Sequence, residues 1–140
     1  MADVSFTATA IKPGTNAVTQ LGQLGEASIT QGMALYQSAT NNKWYKGDCT
    51  DAAKDAVSGF ALGAGGADQW IAIQTGGDMT CDGLTLSQTT SESVYVLSES
   101  GAIAPSDDLA ADDYVTVVGV ALSTTSLRIG FIVSGVQATA

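Results

Sequence analysis

The chain has 140 residues, of which 45% are hydrophobic and only 14% charged, and it carries a net charge of −9. That length suits one domain with its own core, and the scattered bases Lys12, Lys43, Lys46, Lys54 and Arg128 form no stripe that could neutralise phosphates, which excludes direct nucleic-acid binding. The absence of histidine removes the commonest general base and metal ligand.

The helical period is almost missing, while alternation and short apolar runs recur between Gly, Asn, Asp and Ser. The opening MADVSFTATA has neither the basic nor the apolar region of a signal peptide, and no apolar run reaches the roughly 18 residues of a membrane helix. The expectation is a protein made in a cytoplasm, with no membrane partner. Val4, Phe6, Ala8 and Ala10 then alternate with polar residues until Pro13-Gly14 breaks the run. Residues 1–24 read as a first strand or as an extended arm that could add a strand to a partner's sheet.

Further strands are expected at Ala27 to Thr30, Met33 to Gln37, Trp44 to Lys46, Val57 to Leu62 and Gln69 to Gln74. Asp51 to Ala56 could form one or two helical turns. Ala64-Gly65-Gly66-Ala67 reads as a hairpin loop, because it lacks the G-K-[ST] ending of a phosphate loop. The second half offers Leu84 to Leu86, Val94 to Leu97, Val115 to Leu122 and Leu127 to Val133. Short strands at this spacing predict an all-β fold with little helix, a compact sandwich or barrel.

The two halves look related. Val57-Ser58-Gly59-Phe60-Ala61-Leu62 matches Val117-Val118-Gly119-Val120-Ala121-Leu122 at an offset of 60 residues. The same offset pairs Thr30 with Thr90, Ser38 with Ser98, Asp48 with Asp108, Leu35 with Tyr95, and Ile71 and Ile73 with Phe131 and Val133. The organisation read from this is a duplicated β domain over residues 25–140, with halves at 25–77 and 84–136. Both hexapeptides are apolar on both faces, which predicts central, buried strands.

No chemistry stands out. Asp48, Asp51 and Asp55, and Asp107, Asp108, Asp112 and Asp113, fit no calcium-loop pattern and read as solvated turns. The many serines and threonines have no histidine to activate them, and no nucleophile elbow is present. Cys49 and Cys81 are the only cysteines, and buried thiols are favoured over a disulfide in a cytosolic product. The expectation is therefore a non-enzyme with no cofactor and no metal. Trp44, Tyr45 and Trp70 could form a sugar-stacking platform or anchor an interface, and core packing is their ordinary alternative. Val4, Phe6, Trp44, Tyr45 and Trp70 are the candidate interface residues.

Three stretches carry a resemblance. They are the run Gly25-Glu26-Ala27-Ser28-Ile29-Thr30-Gln31-Gly32-Met33-Ala34-Leu35-Tyr36, residues 51–62, and residues 101–109 followed by 113–122. Together they resemble the small head proteins of tailed bacteriophages that decorate, or cement, the capsid. The resemblance covers about residues 25–136 and brings no catalytic residue with it. It implies a β-rich virion protein on the capsid exterior, bound to the major capsid protein, often as a homotrimer at local three-fold positions. Two other classes compete: a carbohydrate- or receptor-binding head-fibre or tail module, and a metal-dependent hydrolase built on the acidic loops.

Overall fold

The computed structural model describes residues 3–81, 86 and 93–139. Its eleven strands, β1 to β11, form two antiparallel sheets packed as a β-sandwich. The strands of the first sheet are β2 (Val18–Gln23), β3 (Ala34–Gln37), β4 (Trp44–Lys46), β5 (Gly59–Ala61) and β6 (Trp70–Gly76), in the spatial order β2-β6-β5-β3-β4. The second sheet contains β1 (Ile11–Pro13), β7 (Asp78–Cys81), β8 (Val94–Leu97), β9 (Ile103–Pro105), β10 (Tyr114–Ser123) and β11 (Ser126–Gln137), in the order β1-β7-β11-β10-β8-β9.

Without β1, the second sheet repeats the order of the first strand for strand: β7 stands where β2 does, then β11 for β6, β10 for β5, β8 for β3 and β9 for β4. The central register repeats too. Leu35 lies opposite Gly59, and Tyr95 lies opposite Gly119. Both glycines sit where a strand crowds its neighbour. A Cβ on Gly59 would come 2.4 Å from Ile73 Cγ2, and one on Gly119 would come 2.4 Å from the Arg128 carbonyl oxygen. The shared V-x-G-x-A-L pattern is thus a packing requirement of the strand next to a long hairpin partner.

Past that strand the offset of 60 fails. Ala61 lies opposite Ile73, whereas Ala121 lies opposite Leu127, so Leu127 and not Val133 takes the place of Ile73. The cause is the hairpin: residues 62–69 join β5 to β6, but only Thr124 and Thr125 join β10 to β11. By strand order the first unit starts at Val18, ahead of the Gly25 boundary read from the sequence, because β2 pairs along β6. Residues 1–24 therefore hold two strands, β1 and β2, one in each sheet. The polar stretch Thr15 to Gln20 carries little apolar signal because β2 is an edge strand whose residues 18–21 are all exposed.

Other expectations shift as well. Ala27 to Thr30 forms only an isolated bridge, Ile29 to Gly65. Asp51 to Ala56 forms turns rather than helix. Of the expected strand Leu84 to Leu86, only Leu86 is among the described residues, and it is buried.

Two apolar clusters hold the sandwich. The larger lies between the sheets and includes Ala34 and Phe60 from one side and Met79, Tyr95, Leu97, Val118 and Leu127 from the other. Phe60 meets Phe131 across it, ring centroids 5.6 Å apart. The second cluster lies on the outer face of the first sheet, where Leu35, Ala61, Ile71 and Ile73 are covered by Leu24 and Ile29. That cover makes β5 buried throughout, as expected of a strand apolar on both faces. In β10 the expectation fails: Val120 and Leu122 are 44% and 39% exposed.

Cys49 and Cys81 are both buried in the main cluster. Burial pushes the Cys49 thiol up to about 12, and the nearby Asp113 and Asp48 carboxylates add to the shift. The folded chain therefore holds that proton more tightly than the unfolded chain, whose thiol titrates near 9.0. The sign follows: this contribution to stability is complete below about pH 9 and is lost as pH rises towards 12. Unfolding midpoints of the wild type measured from pH 7 to 11 should fall faster with pH than those of Cys49→Ala. Parallel curves would refute the assignment.

Candidate interaction surface

The acidic loops act as turn chemistry. Asp48 Oδ1 accepts from the Thr50 N–H at 2.9 Å and from Thr50 Oγ1 at 2.6 Å, and Asp51 Oδ1 accepts from the Ala53 N–H at 2.8 Å. Burial alone would raise Asp48, but these Thr50 bonds, the Ser100 N–H and the charge of Lys54 together hold it below the usual carboxylate range. Asp55 and Asp113 depart from the expected solvated turns, at 4% and 6% exposure. Asp113 Oδ2 accepts from the Ala110 N–H at 3.0 Å, and the Asp55 carbonyl accepts from buried Thr116 Oγ1 at 2.8 Å. Among the described residues no group of three His, Cys, Asp or Glu side chains could hold a metal.

The five candidate interface residues separate into four places. Val4 and Phe6 are half-buried and line a cleft of about 310 Å³ with Gly32, Met33, Ser100 and Ala102. The Val4 N–H donates to the Ile103 carbonyl at 2.9 Å, so this segment lies along β9 of its own chain. Trp44 is corrected to a core residue, 2% exposed in the second cluster. Gly22 permits this, since a Cβ there would come 2.6 Å from the indole nitrogen. Tyr45 is half-buried and stacks on Tyr36, ring centroids 5.7 Å apart, with its hydroxyl accepting from Asn41 Nδ2 at 2.9 Å. Trp70 alone is openly exposed, at 64%. Tyr45 on β4 is thus engaged by Tyr36 and Asn41, and Trp70 on β6 has no ring contact with it among the described residues.

The exposed apolar surface lies largely elsewhere, on residues that were not among the candidate interface residues. Leu21 is 72% exposed on β2, and Ile132, Val133 and Val136 are 65%, 43% and 63% exposed on β11. The expected strand Leu127 to Val133 is present and runs on to Gln137, so that β11 outlasts its neighbour. β7 pairs with it only at residues 126–128, and the Ile129 N–H then donates to the Gly77 carbonyl at the crossover between sheets.

The other sheet margins are guarded against strand pairing. β1 ends in Lys12-Pro13, and β9 ends in Pro105 with Val4 bonded alongside. β4 is capped by the Gly25 N–H on the Trp44 carbonyl at 2.8 Å and by Glu26 Oε2 on the Lys46 N–H at 3.1 Å. β2 and the far half of β11 carry no proline and no charge. Compared with known proteins, the chain matches no family model, no curated protein and no solved structure.

Proposed function

We propose that this chain is a structural protein of a tailed-bacteriophage head, a decoration protein that binds the outside of the capsid shell as a homotrimer and stabilises it. The observation that carries this reading is the exposed, uncharged β surface of β2, β6 and β11. Leu21, Trp70, Ile132 and Val136 are each more than 60% exposed there. Exposed apolar strands in a soluble sandwich serve contact with other proteins, and the resemblance of residues 25–136 to decoration proteins supplies the kind of partner, the major capsid protein. An acidic chain with five scattered bases suits an outer surface better than the DNA-filled interior. A trimer would suit this role, since a small contact per copy gains from avidity and three copies match a local three-fold axis.

The test is to add the purified chain to capsid shells that lack it. Saturable binding at a fixed copy number, with a higher shell melting temperature, is the expected result, because a ligand of the assembled state stabilises it. Absence of binding, or location inside the shell or in the tail, would refute the proposal. The exposure of Trp70 favours one second reading, a carbohydrate-binding head-fibre or tail module. Quenching of Trp70 fluorescence by neutral sugars would support that reading instead.

A further inference from the structure

Among the described residues, no strand pairs with the outer edge of β11 beyond Arg128, and the opposite sheet roofs that position. β6 contacts β11 across the sandwich. The starts of β2 and β7 are tied together, with the Gly14 N–H on the Asp78 carbonyl at 2.6 Å and the Asp78 N–H on the Thr15 carbonyl at 3.0 Å. β2 therefore extends outward from β6 on the β7 side, over the lane next to residues 130–137 that no described strand fills.

The underside of that roof is known from register. Gln74 is buried and lies opposite both Phe60 and Thr19. Ala72 and Trp70 follow it at every second residue, opposite Leu21 and Gln23. They share the face that, further along, forms the sandwich core. Here that face is open: Leu21 is 72% and Trp70 64% exposed. β2, β6 and β11 beyond Arg128 contain no charged residue, in a chain whose net charge is −9.

We propose that this lane receives one extended, uncharged segment of the capsid shell protein, with apolar side chains at alternate positions, added as a strand beside β11. The proposal rests on the capsid reading above. The free β11 edge offers main-chain hydrogen bonds, and the roof offers an apolar surface to every second side chain of the incoming strand, the two components of strand addition. Neutral walls select a neutral segment, since a buried unpaired charge would be costly there. The overhang of β2 leaves room for a single strand rather than the margin of a second sandwich, which disfavours β11 pairing with β11 of another copy.

The experiment uses the full chain, shells lacking it, and amide hydrogen exchange of the free and shell-bound protein. Exchange at residues 130–136 should slow at least tenfold on binding, and Leu21→Lys, a change at an exposed position, should weaken binding at least tenfold. Val120→Lys, on β10, should bind as the wild type does. Normal shell binding with unchanged exchange at 130–136, or with full affinity of Leu21→Lys, would overturn the lane and leave the capsid reading standing. Protection of 130–136 in the free protein, rising with concentration and a multiplied mass, would assign the lane to a second copy and overturn the proposal. No shell binding at all would overturn both.

Discussion

Phe60→Ala should lower the unfolding free energy by about 3–5 kcal/mol, the range for removing a fully buried aromatic side chain. Phe60 is 0% exposed on β5, a central strand that pairs with both β3 and β6. Its ring meets Phe131 from the other sheet, so it joins the two layers rather than filling one of them. The backbone cannot readily collapse into the space, because Ala34 and Gln74 fix the strand from both sides. Urea titration of the wild type and the variant measures the loss, and heating should show a midpoint lower by roughly 10–20 °C for a chain of this size. A loss below about 1 kcal/mol would mean that the sheets are not joined at this position.

Gly77→Ala should cost about 2–4 kcal/mol through backbone strain and overlap. Gly77 links β6 to β7, where the chain leaves one sheet and enters the other. Its φ is +78°, a left-handed conformation disfavoured for residues with a Cβ. That Cβ would also lie 2.3 Å from the Asn16 carbonyl oxygen and 2.5 Å from its carbon, which are backbone atoms with little freedom to move. Relief would shift Asn16 and Ala17 just ahead of β2, and would strain the bond from the Ile129 N–H to the Gly77 carbonyl. Gly76→Ala is the control: its Cβ would meet nothing closer than Val18 Cγ2 at 3.6 Å. The control should stay within about 1 kcal/mol of the wild type. Equal losses at both positions would refute the strain argument, since only Gly77 requires the unusual conformation.

Much of the sandwich could be read from residue order because the relevant physics is local. Alternation and β-branched runs placed β4 at Trp44–Lys46 and β8 at Val94–Leu97 with the bounds observed, and glycine-rich breaks placed the β5–β6 hairpin. Those signals depend only on the period of a strand and the turn preferences of glycine. The hexapeptide at Val57 and Val117 marked a position where the local crowding of a strand against its hairpin partner demands glycine, and the two copies share one register. What escaped local reading was decided by neighbours distant in sequence. Trp44 is core because Gly22, on another strand, makes room for its indole, whereas Trp70 is 64% exposed on a strand whose Ile71 and Ile73 are core. Asp55 and Asp113 are buried although their loops are polar, because folding brings the main chain of each against a distant segment: the Asp55 carbonyl accepts from Thr116 Oγ1 and the Asp113 carbonyl from the Ala138 N–H. The sequence by itself determined strand content, turn positions and the repeated glycine strand, since each follows from interactions a few residues apart. The tertiary structure alone decided which apolar residues face water, because exposure depends on sheet order and on how far β7 accompanies β11.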